Sequence, residues 1–394
     1  MAQATVSRGG AGVTHPRGFS AAGVTAGLKP SGRPDLALVV NHGPATAAAA
    51  VFTTNRVVAA PVVWSREAVA DGRLDAVVLN SGGANACTGA GGYADSRATA
   101  EHVATALGLE ATHVGVCSTG LIGVRLPMDR LLAGVDEAVT RLSSDQGPQA
   151  ATAIMTTDTV SKTAEFTHPD GWSIGVMGKG AGMLAPALAT MLVVVTTDAD
   201  LSPQVLDESL RAATGVTLDR LDSDGCMSTN DTVLLLASGA SGITVEPSVF
   251  TEALTAVLAD LGQQLLGDAE GAHHDISIVV RGAASERDAV VVGRSIARNN
   301  LFKCAIYGGD PNWGRALAAI GTTDAVFDPE ALDVSFNQVM VCRAGAVGDD
   351  RDLVDLGPRQ VTVEVDLHAG DHEATIWTND LTHDYVTENS EYST

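Results

Sequence analysis

Residues 191–195 read MLVVV, an unbroken apolar run close to the middle of a chain of 394 residues. Five apolar residues in a row leave no polar face, and the run is too short for an ordinary helix. It therefore reads as a buried strand, which needs material packed over it. A glycine-rich turn (KGAG, 179–182) and Pro186 precede it, and the pair Ala189-Thr190 opens it. Short apolar runs at 36–40, 76–79, 114–117, 173–177, 232–236 and 276–280 read as further strands. Residues 361–367 alternate as a strand does, and 374–377 suits a strand paired with it.

Between these runs the apolar spacing turns helical. Residues 96–107 suit a helix with Ser96 as N-cap, and 128–142 suit a helix with Pro127 near its first turn. Residues 203–213 suit a helix capped by Ser202, and 290–298 suit another. The clearest helix covers 250–266, with apolar residues at 250, 254, 257, 258, 261 and 265. The turn at 309–315 starts one more. Residues 1–20 are glycine-rich and read as a loose arm, and 154–159 (IMTTDT) as hydroxyl-bearing residues that line a site or cap a strand. Strands and helices interleave in both halves, which excludes all-α and all-β classes and predicts a mixed α/β layered fold.

Hydrophobic residues are 45% and charged ones 18%, so a sizeable core can form. A net charge of −23 argues against nucleic acid and anionic membranes as partners. No apolar run approaches the roughly 18 residues of a membrane span, and no secretory leader is visible. The five scattered cysteines contain no C-x-x-C pair, which points to reduced thiols and a cytoplasmic protein.

Familiar ligand motifs fail. Gly178-Lys179 lacks the earlier glycine and the following Ser or Thr of a phosphate loop. Asp222-Ser223-Asp224-Gly225 places its glycine too early for a calcium loop. His273-His274 reads as a solvated pair, and no metal site is expected. The loop 80–86 (NSGGANA) reads as a tight turn or one polar wall of a pocket. The run into Ser118-Thr119-Gly120 reads as a strand exit or a source of exposed donors.

Ala189-Thr190 admits a sharper reading than the opening of a strand. If the bond between them breaks, Thr190 becomes N-terminal. Its own α-amine, titrating near 7.7–8.0, then lies within reach of its hydroxyl as a base. The cut itself begins when Oγ of Thr190 attacks the Ala189 carbonyl to give an ester that water releases. Each attack generates an oxyanion that needs preorganised donors, and Thr119 (hydroxyl) with Gly120 (backbone N–H) are groups of the right kind. Spacing alone does not bring them to Thr190, and from the residues alone the buried strand remains the simpler reading.

The chain closely resembles the bifunctional ornithine acetyltransferase family, also called glutamate N-acetyltransferase. The matching segments are GFSAAGVTAGLK (18–29), AVFTTNR (50–56), NSGGANACTG (80–89), STGLIG (118–123), AIMTTDT (153–159), KGAGMLAPALATML (179–192), DGCMSTNDT (224–232), GDAEGA (267–272), GDPNWGR (309–315) and the ending DYVTENSEYST. The chain departs from the usual pattern at Gly83, Cys304 and Ser393.

The resemblance implies an α/β/β/α-type layered sandwich shared with self-processing aminopeptidases. It implies self-cleavage at Ala189-Thr190 into an α chain (1–189) and a β chain (190–394) that intertwine and assemble as an α2β2 heterotetramer. It implies that Thr190 takes an acetyl group from N-acetylornithine and passes it to glutamate. Thr119 and Gly120 would form the oxyanion site; Thr156, Lys179, Thr190, Glu270, Asn389 and Thr394 would contact substrate. Lys179 suits a substrate carboxylate, and Glu270 or the Thr394 carboxylate suits the ornithine ammonium. No cofactor is implied. Family members that accept acetyl-CoA carry the same motifs, and the lack of a glycine-rich phosphate cradle favours the form that uses N-acetylornithine only. The rival expectations are a self-processing aminopeptidase or amidase, which passes the acyl group to water, and a non-catalytic scaffold that stays uncleaved.

Overall fold

The computed structural model describes residues 5–185 and 191–391. Ten strands of the first two-thirds of the chain form two stacked sheets. They are β1 (Ser7–Arg8), β2 (Phe19–Val24), β3 (Leu36–Asn41), β4 (Ala47–Phe52), β5 (Ala76–Ser81), β6 (Val114–Thr119), β7 (Lys162–Thr167), β8 (Ser173–Lys179), β9 (Leu192–Thr197) and β10 (Thr232–Ala237). One sheet runs β1-β7-β8-β9-β10-β4 and the other β2-β3-β5-β6. In the first, β9 is antiparallel to β8 and parallel to β10, with Leu192 opposite both Lys179 and Thr232.

The expected run at 191–195 is the middle of this arrangement. Leu192 and Val194 point into the layer between the sheets, with Val39, Val77, Leu79, Met177, Leu234 and Leu236. Val193 and Val195 point the other way, toward helices α5 and α6 introduced below. Both faces are dry, which is why the run shows no alternation. Each fully buried Val or Leu side chain contributes about 1.5–3 kcal/mol of transfer free energy.

Helices close both outer faces. The helices α1 (Ala60–Ala68), α2 (Gly89–Leu107) and α3 (Met128–Thr140) belong to the side of the four-stranded sheet, while the short α4 (Gly147–Ala153) places Ala150, Ala151 and Ala153 in the layer between the sheets. Val103 of α2 and Leu131 and Val135 of α3 pack on Leu38, Val40, Val78 and Val116. On the six-stranded side, α5 (Pro203–Val216) and α6 (Pro247–Gly267) place Leu206, Leu210, Leu254, Val257, Leu258 and Leu261 against Val176, Val193 and Leu235. The order from one surface to the other is helix, sheet, sheet, helix, as the resemblance implied.

The remainder forms a second sheet-and-helix body. Its strands are β11 (Asp275–Ala283), β12 (Asp333–Phe336), β13 (Val339–Arg343), β14 (Ala346–Val347), β15 (Gln360–Asp366) and β16 (His372–Asn379), in the order β14-β13-β12-β15-β11-β16. Helices α7 (Glu286–Ala297), α8 (Asn300–Tyr307) and α9 (Trp313–Ile320) cover it, and α10 (His383–Glu391) follows β16. Asn379 joins the two bodies: its amide donates to the Leu266 and His274 carbonyls, and its Oδ1 accepts from Ser223.

Several expectations need correction. Residues 372–379 pair with β11 and not with 360–366, because β11 lies between them and parallel to β15. Residues 1–20 do not form a loose arm where described: Ser7–Arg8 pairs with β7, and Gly12, Val13 and Thr14 are buried. Helix α2 begins at Gly89, so Ser96 is not its cap; the Ser96 hydroxyl is buried and accepts from the Asn85 amide. Thr156 and Thr157, of the run 154–159, line the cavity described below. Ser202 does cap α5, accepting from the Val205 N–H.

Candidate active site

Two strand ends, two loops and a helix converge on one cavity of about 160 Å³. Strand β6 delivers Thr119 and Gly120, and β8 delivers Lys179. The 154–161 loop contributes Thr156, the loop after α6 contributes Glu270, and α10 contributes Asn389. All six residues line the cavity. Ala189, Thr190 and Thr394 lie outside the described residues; Leu184 and Met191 are described neighbours on either side of the junction. A larger groove of about 620 Å³ along edge strand β4 contains none of the expected site residues.

The β6 exit is held by the loop 80–86. Gly82 and Gly83 both donate to the Thr119 carbonyl, at 2.9 and 3.0 Å. The Asn80 side chain accepts from Ser118 Oγ at 2.6 Å and donates to the Gly83 carbonyl. Gly120 has φ +122°, and a Cβ there would stand 2.8 Å from the Gly83 nitrogen. Only glycine suits both the dihedral and the space. The loop is thus more than a turn: it holds the strand end, and Ala84 lines the cavity.

Lys179 is 1% exposed and donates to Thr119 Oγ1 at 3.2 Å. Burial pushes its pKa down, and Asp158 opposes that. Asp158 is the hub of the adjoining loop. It accepts from the Gly180 N–H at 2.7 Å, the Thr156 N–H at 2.9 Å and the Lys162 ammonium at 2.6 Å. Burial alone would raise its pKa, but Lys179 and Lys162 bring it down to about 2. Lys162, fully buried, also reaches Asp268 at 2.5 Å, at the end of α6. One carboxylate therefore positions both Thr156 and the segment that follows Lys179.

Glu270 accepts from the Asn389 amide at 3.0 Å, and its backbone N–H donates to Ala181. Helix α10 is docked beside it through Thr382, whose hydroxyl donates to the Gly271 carbonyl at 2.6 Å. His274 is not solvated as expected; it sits between Asp380 and the Leu356 carbonyl. Among the described residues no cluster has a metal-binding arrangement.

Only four residues of the chain are lysine. None is exposed: Lys162, Lys179 and Lys303 are buried and Lys29 is partly so. Lys29 donates to the Met155 carbonyl, and burial lowers its pKa to about 8 against the pull of Asp35. Lys303 donates to the Ser223 carbonyl, next in sequence to the cavity residue Asp224. Sequence alone singles out neither Lys29, Asp158 nor Asn230, although all lie in the matching segments, and it weighs Asp224 only as part of a failed calcium loop.

Fold and cavity together define a layered α/β/β/α enzyme with a small polar site of amino-acid size. A profile described as the ArgJ family matches residues 20–394. Three proteins described as "Arginine biosynthesis bifunctional protein ArgJ" match along nearly their whole length. Those of Streptomyces coelicolor and Thermobifida fusca are 64% and 65% identical, each over 97% of this chain and 99% and 100% of their own. That of Bifidobacterium longum is 54% identical over 96% of this chain and 99% of its own. The chain belongs to the ArgJ family. It is an acyltransferase of arginine biosynthesis.

Proposed function

We propose that the chain cleaves itself at Ala189-Thr190 and then moves an acetyl group from N2-acetylornithine to glutamate through an acetyl-Thr190 ester. The convergence of Thr119, Gly120, Thr156, Lys179, Glu270 and Asn389 on one cavity carries this reading. In the first half-reaction Thr190 Oγ attacks the acetyl carbonyl, with its α-amine taking the hydroxyl proton. The tetrahedral oxyanion meets the Thr119 hydroxyl and the Gly120 N–H. The ornithine α-amine leaves with the proton held by the Thr190 amine. In the second half-reaction the glutamate amine attacks the ester, and the same donors serve the reverse collapse.

Substrate charge is matched in kind. Lys179 faces the donor's carboxylate, and Glu270, oriented by Asn389, faces the ornithine ammonium. The cavity must exclude water for transfer to prevail over hydrolysis. Strands from both sides of the junction share one sheet, with β9 and β10, which follow it, between β8 and β4, which precede it. The fragments 1–189 and 190–394 would therefore stay interlocked after the cut, and two such pairs form the α2β2 assembly. The same reading places the enzyme in the cytoplasm. No described helix is long and apolar enough to cross a membrane.

The test supplies N-acetylornithine with and without glutamate and measures ornithine. Sustained release only with glutamate supports transfer; release independent of glutamate identifies the hydrolase instead. A parallel arm with acetyl-CoA and glutamate measures the second donor. A denaturing gel of the same sample must show two fragments.

A further inference from the structure

The α-amine of Thr190 serves as base only once it exists. In the uncut chain that nitrogen is an amide, which carries no basic lone pair. The first cut needs another group to take the Thr190 hydroxyl proton and to protonate the departing nitrogen. The described structure offers one side chain next to the junction for this task.

Asp231 is fully buried and stands immediately before β10, across from the start of β9. Its Oδ1 accepts from the Met191 N–H at 3.1 Å, and Met191 is the residue bonded to Thr190. The Thr232 N–H donates to the Met191 carbonyl at 3.1 Å, so Met191 is held on both sides of its α-carbon. Among the described residues the second oxygen of Asp231 has no hydrogen-bond partner of good geometry, although the Ser228 hydroxyl is close enough to pull on the carboxyl. A buried carboxyl oxygen left unpaired costs free energy, so a site that keeps one invites a functional explanation. Burial also drives the Asp231 pKa well above the usual carboxylate range, against the pull of the Met191 N–H, the Ser228 hydroxyl and Lys179. A carboxyl of that kind exchanges a proton at neutral pH more readily than an exposed one.

The neighbours of Asp231 in sequence hold the rest of the junction. Asp224 Oδ2 accepts from the Met183 N–H at 2.7 Å, and the Ser223 N–H donates to the Leu184 carbonyl at 2.5 Å. Met183 has φ +53°, a left-handed conformation that a side chain tolerates at a cost. The Asn230 amide donates to the Ser118 and Ala84 carbonyls, at 2.8 and 2.6 Å, which fixes the strand end that presents Thr119 and Gly120. One segment, 223–231, thus grips the chain before the junction, the chain after it and the oxyanion strand.

We propose that Asp231 is the proton carrier of self-cleavage. As Thr190 Oγ bonds to the Ala189 carbonyl carbon, the Asp231 oxygen that does not serve Met191 takes the hydroxyl proton. As the carbon–nitrogen bond breaks, Asp231 returns that proton to the Thr190 nitrogen, which becomes the free α-amine. Water then hydrolyses the ester, leaving the Ala189 carboxyl and the Thr190 hydroxyl. This inference rests on the self-cleavage reading above.

The test follows conversion of full-length precursor to fragments by intact-mass spectrometry. Asp231→Asn keeps an acceptor for Met191 but carries no exchangeable acid. We expect its cleavage to be at least about 100-fold slower than that of the native chain, the lower end of general acid–base contributions. Formate added to Asp231→Ala, which leaves space for it, restores cleavage, and chloride does not. Thermal melts of both variants identify misfolding, in which case Asp231→Glu, which keeps the acid, must cleave faster than Asp231→Asn. Cleavage of Asp231→Asn at the native rate would overturn the proposal while leaving self-cleavage intact. A native chain that stays whole would overturn the self-cleavage reading itself.

Discussion

The Lys179 ammonium donates to the Thr119 hydroxyl across 3.2 Å, and both side chains are buried. A hydroxyl owns one proton. By accepting from Lys179, Thr119 keeps that proton for a second partner, which is what an oxyanion donor requires. Thr119→Val preserves shape and removes the hydroxyl. Its kcat for acetyl transfer should fall about 10²–10³-fold with KM little changed, and Thr119→Ser should recover most of the loss. Steady-state kinetics of ornithine release read both parameters.

Asp158 predicts an acid limb of stability. Its folded pKa of about 2 lies below the unfolded value, so its contribution is complete above roughly pH 4 and is lost as pH falls through about 2. Asp158→Asn removes that limb. It also leaves the buried Lys162 with one carboxylate partner fewer, so stability at neutral pH should fall by about 3–5 kcal/mol. Urea unfolding at a series of pH values tests both statements.

Glu270 and Asn389 should act as a pair. Glu270→Gln should raise KM for N-acetylornithine by about tenfold, the worth of one charge-assisted hydrogen bond. Asn389→Ala should do less. The double variant should be little worse than Glu270→Gln alone, because the two groups share one hydrogen bond. A double-mutant cycle on KM measures the coupling.

Gly182 offers a steric probe of the same carboxylate. A Cβ on Gly182 would stand 2.5 Å from both Glu270 oxygens, so Gly182→Ala must push the carboxylate aside. It should raise KM for N-acetylornithine with little loss of stability, since a side-chain end moves and no backbone does. Gly215→Ala in α5 meets nothing within 4 Å and should stabilise the fold by about 0.5–1 kcal/mol without touching KM.

The layered fold was legible because the dry strands announce themselves. The runs at 36–40, 76–79, 114–117 and 191–195 have no polar face, and the structure covers both of theirs. Ser202 was legible as a cap because its contact is local. Ser96 looked like a cap from the same local pattern, yet its hydroxyl serves Asn85, a contact set by the tertiary fold. The pairing of 372–379 was misassigned because sequence order says nothing about β11 inserting between two neighbours. The site residues came from matching segments, since no spacing rule brings Thr119 to Lys179, sixty residues on. Asp158, Asn230 and Asp231 escaped for the same reason: their partners lie on other elements, and an Asp in a loop resembles any other until its acceptors are seen.

The distribution of lysine has a practical side. Every surface cation among the described residues is arginine or histidine, and of the four lysines, none of them exposed, Lys179 lines the site. Amine-directed crosslinkers, dyes and immobilising resins have no exposed lysine to decorate. The least buried lysine is Lys29, whose pKa burial lowers to about 8. Handling chemistry for this protein therefore belongs to its many surface carboxylates.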